Sequence, residues 1–169
     1  MTELSRIYVM DSSSLIAMEK YYLRKHFVTF WNNFDKLISN DQIKSPEEVF
    51  IEIKRKDDNL YRWMEKNKAR IYAKATSYSS KKVSEMVIRF RSMCKPNALK
   101  TKADPYVIAC ALDIRDGDQV KMYPVSPVVV TEESPGEKNN EQKIPDACNF
   151  YKMEWISVPI IIQENNWFF

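Results

Sequence analysis

Three features of this sequence predict an α/β fold in which a parallel sheet is covered by helices on both faces. Ile7, Tyr8, Val9 and Met10 are apolar in a row with no polar alternation, the pattern of a strand buried on both sides. Val128, Val129 and Val130 repeat that pattern far downstream. Between them lie stretches whose apolar residues recur three and four apart, so that helical crossovers separate the strands, as parallel pairing requires. With 169 residues, 44% hydrophobic and 12% aromatic, the chain can bury an ordinary core, and we expect one domain over residues 1–169.

Composition removes several function classes. Gly117 and Gly136 are the only glycines, which excludes a GxGxxG dinucleotide loop and a GxxxxGK[ST] phosphate loop. Cys94, Cys110 and Cys148 form no CxxC pair, and His26 is the only histidine. The cysteines therefore read as reduced thiols of a cytoplasmic protein rather than as disulfides or zinc ligands. The start of the chain carries Glu3 and Arg6 ahead of an apolar run too short for a signal peptide, and no run is long enough to span a membrane, so no membrane partner is expected.

The first strand stops at Asp11, followed by Ser12, Ser13 and Ser14, which can cap a helix carrying Leu15, Met18 and Tyr22. Ligands of open α/β sheets collect beyond the carboxyl ends of strands, so Asp11 is a site candidate as well as a capping one. Phe27, Phe30, Trp31, Phe34, Leu37 and Ile38 then form a helical stripe that belongs to the core. Ile43 begins a short second strand. In SPEEVFIEI, Ser45 is placed as a helix N-cap, Pro46 as the first helical residue, and Glu48 as the partner completing a capping box. Glu52, a turn later on the edge of the Val49–Ile53 stripe, caps nothing and needs another partner.

From Asp57 to Lys95 the chain reads as basic helices with stripes at Leu60, Trp63 and Met64, then Val83, Met86, Val87 and Phe90, interrupted by a loop over residues 73–80. In KADPYVIACAL, Asp104 is placed as the N-cap and Pro105 as the first helical residue, with a small apolar face at Val107, Cys110, Ala111 and Ile114. A turn at Asp116, Gly117 and Asp118 precedes the valine strand, which ends in Thr131, Glu132 and Glu133. Residues 134–143, without an apolar side chain, are expected to be a mobile loop. IPDACNF is a short capped helix, and Trp155 to Ile162 a last strand edged at Pro159.

Net charge is uneven. Residues 53–102 hold 15 of the 26 Lys and Arg against four acids, a local charge of +11, leaving −8 elsewhere. A basic wall beside a carboxylate cluster suits an enzyme acting on nucleic acid. Tyr72 and Tyr78 with Lys74, Lys81 and Lys82, together with Lys102, are candidates for contacting single-stranded RNA by stacking and phosphate contact. Asp11, Glu52, Asp104 and Glu133, with Asp146 in reserve, form the acidic constellation. Carboxylates brought together repel unless a cation neutralises them, and the suitable cation is Mg²⁺ or Mn²⁺.

On these residues the chain resembles the PIN-domain nucleases, which include the VapC toxins. The matching pieces are YVMDSSSLI with Asp11, SPEEVFIEI with Glu52, KADPYVIACAL with Asp104 and VVVTEES with Glu133. It looks closest to a PIN-like branch with paired aromatics at Tyr21, Tyr22, Phe30 and Trp31, the EVFIEI helix, and IPDAC around Asp146. The likeness spans nearly the whole chain. It implies a three-layer α/β/α fold with a central parallel sheet of four to five strands. It also implies a Mg²⁺- or Mn²⁺-dependent endoribonuclease in which the first three acids hold metal. The fourth acid falls on Glu133, with Glu132 adjacent and Asp146 in reserve; Ser13 would orient the first Asp, and Thr131 would support the site from outside the ligand set. RNA is the implied substrate. A cognate antitoxin protein is a further implied partner, and the tail Trp167, Phe168 and Phe169 can serve a homodimer or close the core.

Other readings fit less well. An aspartyl-phosphate phosphatase needs a second Asp where Ser13 stands, and a receiver domain needs paired acids beside its first strand where Glu3, Leu4 and Ser5 stand. A non-catalytic nucleic-acid-binding module, with the acids serving only as caps, is the alternative to an enzyme, although caps accept Ser or Asn equally well.

Overall fold

The structure is a computed structural model that describes residues 4–94, 102–118, 121, 123–136 and 141–169. Four strands, β1 (Ser5–Met10), β2 (Ile43–Lys44), β3 (Val125–Val130) and β4 (Trp155–Ile156), form one sheet in the order β2-β1-β3-β4, with every pairing parallel. Helices cover both faces, giving the three-layer α/β/α architecture that the apolar runs predict. Ile7 through Met10 and Val128 through Val130 are all buried. Neighbouring side chains on a strand point to opposite faces, so burial of every one requires cover on both.

The helices described are α1 (Ser12–Tyr21), α2 (Val28–Ser39), α3 (Glu47–Lys56), α4 (Asp58–Lys66), α5 (Lys68–Ile71), α6 (Ser77–Arg89), α7 (Arg91–Cys94), α8 (Asp104–Asp116), α9 (Ile144–Phe150) and α10 (Val158–Glu164). No helix among the described residues is long and apolar enough to cross a membrane. Helix α8 packs on β1 and β3 and is backed by α6. Its buried Val107, Ala109, Ala111 and Leu112 include side chains small enough for that close approach. The aromatic stripe of α2 is core, as its spacing predicts: Phe30 and Phe34 are at most 1% exposed. Trp167 and Phe169 pack on Phe30 with ring centroids 5.7 and 6.1 Å away, so these two tail residues help close this layer, while Phe168 stays exposed.

Several elements differ from their sequence-based expectation. Asp11, not Ser12 to Ser14, is the N-cap of α1, accepting from the Ser13 backbone N–H at 3.2 Å. Ser45 makes no cap. It is fully buried, its hydroxyl donates to the Met10 carbonyl at 2.9 Å, and α3 starts a residue later behind Pro46 with no side-chain cap. Ser45 thus serves to tie the end of β2 to the end of β1. The loop expected over 73–80 is shorter, because Thr76 and Ser79 form a capping box that starts α6 at Ser77. The run expected as a strand to Ile162 is instead the two residues of β4 followed by α10, with Pro159 in its first turn. The isoleucines there resemble a strand, but the Pro and an external cap described below decide for helix. Of the loop at 134–143, residues 137–140 lie outside those described.

Order along the sheet sets where a ligand goes. The chain leaves β1 toward β2 on one side, then crosses back to β3 on the other. The crevice at this reversal opens at the carboxyl ends of β1 and β3, immediately at Asp11 and Thr131.

Phe30→Ala is expected to lower unfolding stability by about 3–5 kcal/mol, as large-to-small core changes do. In a double-mutant cycle with Trp167→Ala, the coupling should be about 0.5–1.5 kcal/mol. Urea denaturation checks both, and additive effects would show that the tail does not close the core.

Candidate functional site

At the carboxyl edge of the sheet lies an open cleft of about 560 Å³ whose lining includes Asp11, Glu52, Asp104, Glu132 and Glu133. Asp11 continues the β-ladder through its backbone N–H, which donates to the Val130 carbonyl at 2.9 Å. Its side chain is 3% exposed. Three donors converge on Oδ2: the Ser13 hydroxyl at 2.6 Å, the Ser13 N–H at 3.2 Å and the Thr131 hydroxyl at 3.2 Å. Ser13 Oγ in turn accepts from the Glu132 N–H at 3.0 Å, and Thr131 Oγ1 from the Glu133 N–H at 3.2 Å. Ser13 and Thr131 therefore lock the first carboxylate and the turn after β3 into one network. Burial pushes the Asp11 carboxyl up; the charge of Glu133 adds to that, while the Ser13 bonds oppose it.

Glu52 reaches the cleft from α3. Its Oε2 accepts from the Ser12 hydroxyl at 2.5 Å and its Oε1 from Lys56 Nζ at 3.1 Å. The partner that its half-apolar position demands is thus a serine beside Asp11 and a lysine one turn on. Asp104 stands in the first turn of α8, preceded by Ala103 at the cap, with no side-chain cap bond. The capping role expected for it is absent, because the helix begins one residue earlier than the Pro105 rule places it. Its carboxyl is pushed up to about 7, by burial first and then by the charges of Asp11, Glu133 and Glu52, with Lys102 opposing. Lys102 Nζ lies 3.9 Å from Asp104 Oδ2.

The two glutamates after β3 divide their work. Glu133 is the one whose charge acts on both Asp11 and Asp104, and its Oε2 accepts from the Ile144 N–H at 3.1 Å. Glu132 also lines the cleft, but its Oε1 accepts from the Val158 N–H at 2.8 Å and so caps α10. Asp146 does not line the cleft. Its Oδ2 accepts from the Lys143 N–H at 2.8 Å and the Gly136 N–H at 3.0 Å, so it closes the start of α9 and holds the loop before it.

The cations expected to contact RNA are spread differently. Lys74 and Lys81 are exposed away from the cleft lining, and Lys82 is paired with Glu85 at 2.9 Å beside Tyr78 and Tyr151. Of these four lysines only Lys102 reaches the acids. Lys20 and Lys56 line the cleft instead. Helical spacing carried a signal for them: Lys20 lies two turns past Ser13 on α1, and Lys56 one turn past Glu52 on α3.

The donor set is oxygen only, which suits a hard divalent cation rather than zinc or iron. Among the described residues no group of three or more His, Cys, Asp or Glu side chains is placed to hold a metal ion. Mg²⁺ is commonly held by one or two carboxylates and keeps several waters for phosphate oxygens to replace. Burial and the neighbouring carboxylate charges lift Asp11 and Asp104, and such an ion would offset both.

The fold and cleft define a class: a three-layer α/β/α protein with an acidic site at the switch point of its parallel sheet. Within that class, the model of a family described as Domain of unknown function (DUF4411) matches residues 8–169, and the chain belongs to that family. No curated protein matches it.

A carboxyl raised by folding holds its proton more tightly in the folded than in the unfolded state. Without metal, stability should therefore fall as pH rises from the ordinary 3.8 of an aspartate toward the about 7 of Asp104. Asp104→Asn should flatten this fall in melts taken in EDTA across that range. An unchanged slope would mean that folding does not raise the Asp104 carboxyl.

Proposed function

We propose that the protein is a Mg²⁺- or Mn²⁺-dependent endoribonuclease of the PIN type, hydrolysing phosphodiester bonds of RNA. The observation that carries this reading is the convergence of Asp11, Glu52, Asp104 and Glu133, from four separate parts of the chain, on one cleft at the sheet's switch point. Two of these acids are held against their own charge. A fold with no use for a cation would not be expected to gather them there, since burial and neighbouring charge oppose the ionised forms of Asp11 and Asp104.

One or two of Asp11, Glu52, Asp104 and Glu133 would hold the ion directly, and the others would meet its bound waters. When bound, it supplies positive charge to the phosphate oxygens and acidifies a water. The chain's own residues do the rest. Ser13 and Thr131 fix Asp11 so that its carboxylate need not reorganise. Ser12 and Lys56 fix Glu52. Lys20 and Lys56, on the rim, attract the phosphates on either side of the scissile one. In the reaction the oxygen of water attacks phosphorus, the bond from phosphorus to one ribose oxygen breaks, and that oxygen takes up a proton while the water loses one.

Asp11→Asn separates this reading from an RNA-binding module whose acids are only caps. Asn caps a helix as well as Asp does, so the fold should persist. The variant should lose RNA cleavage, melt higher than wild type in EDTA, and gain little on adding Mn²⁺, whereas wild type should be stabilised by it. Wild-type cleavage in the variant, with the same response to Mn²⁺, would sink the enzyme reading.

Lys20→Ala with Lys56→Ala should weaken RNA binding and lower the slope of log affinity against log salt by about two, one for each phosphate that is no longer neutralised. Fluorescence anisotropy at several salt concentrations measures it. Retention of the full slope would show that other cations neutralise the RNA backbone.

A further inference from the structure

A second cavity, of about 320 Å³, shares no lining residue with the acidic cleft yet borders the same two helices. Glu48 lines it one turn before Glu52 on α3, a rise of about 6 Å. Tyr106 lines it two residues after Asp104 on α8. The volume suits a single nucleobase with its sugar rather than a helix or a peptide. Tyr72 and Tyr106 are among its lining residues, and exposed Lys74 sits at its edge.

Two carboxylates line this wall. Asp113 is 6% exposed; its Oδ2 accepts from the Thr76 hydroxyl at 2.8 Å, while its Oδ1 is turned toward Gly117, which does not line the cavity. Glu48 is half-buried; burial pushes its carboxyl up, and a hydrogen bond from its own backbone N–H opposes the rise. Carboxylates are acceptors only. Of the four RNA bases, guanine alone presents two adjacent N–H donors, N1–H and the 2-amino group, on one edge. Adenine and cytosine place an acceptor nitrogen beside their amino group, and uracil sets its single N–H between two carbonyls. Each of those three would turn a lone pair toward an ionised carboxylate, leaving buried polar groups unpaired.

We propose that this cavity is a base-binding subsite that takes a guanine of single-stranded RNA running across the acidic cleft. Glu48 accepts the two N–H groups of the base edge, the tyrosines contact the ring, and Lys74 meets the adjoining phosphate. This rests on the nuclease reading for its RNA, but the pocket can be tested without catalysis.

Calorimetric titration of the protein in EDTA with GMP, AMP, CMP and UMP tests the pocket alone. GMP should bind about tenfold tighter than the others, the discrimination that one bidentate pair supplies. Glu48→Gln should remove that preference. Ser80→Trp, at an exposed rim position where no buried group is removed, should block GMP binding even if Glu48→Gln proves unstable. Asp11→Asn should bind GMP as wild type does. Equal affinity for all four nucleotides, or no binding of GMP, would overturn the subsite. Mapping of cut sites on a mixed-sequence RNA then separates the two ideas. Cleavage without guanine preference leaves the nuclease and removes the subsite, whereas GMP binding without cleavage leaves a nucleotide pocket and removes the nuclease.

Discussion

A carboxylate buried at the end of the central strand is the constraint on which the rest of this structure depends. Asp11 is 3% exposed, directly after a strand flanked by two parallel neighbours. Burying an ionised carboxylate is costly unless donors surround it. Ser13 and Thr131 supply them, and in doing so they join the start of α1 to the turn after β3. That turn carries Glu132 and Glu133, one reaching to α10 and the other to α9. This buried carboxylate is therefore the hub through which the start of α1 and the turn after β3 are joined.

Charge is divided between layers in a way that follows from this. The acids at the sheet edge come from β1, α3, α8 and the turn after β3, whereas much of the basic segment lies on α4 to α6 and is spent partly on local pairs such as Lys68 with Glu65 and Lys82 with Glu85. Surface pairs of that kind contribute little to stability. Their effect is to leave the cleft itself with few cations, Lys20, Lys56 and Lys102, beside its cluster of carboxylates. Helices α3 and α8 each present an acid to the cleft and, a short way along, a side chain to the second cavity. One packing arrangement thus positions two candidate binding surfaces side by side.

Strand and helix identity were legible wherever hydrophobic spacing was unambiguous. The unbroken apolar runs at Ile7–Met10 and Val128–Val130 announced a sheet buried on both faces, because no half-exposed strand can lack polar alternation. The stripes of α2 and α3 announced helices for the complementary reason. Where local signals competed, tertiary contacts decided. Ser45 has the sequence context of a cap but is drawn under Met10 by a backbone acceptor, and the Val158–Glu164 segment has strand-forming residues but is turned helical where Glu132 caps its first N–H.

By itself the sequence determined the α/β class, the core stripes and the set of acids that stand at strand ends and helix starts, since each depends on residues near one another in the chain. Which acid does what was decided only in three dimensions. Asp104 and Asp146 both stand in the first turn of a helix with a neighbouring Pro, yet Asp146 is consumed by two backbone N–H groups while Asp104 receives none among the described residues and faces Asp11 and Glu133. Glu132 and Glu133 are adjacent and chemically identical, and only the position of α10 commits the first of them to a cap. A carboxylate's role is set by the donors and charges within a few ångström of it, and those come from parts of the chain that no local pattern brings together.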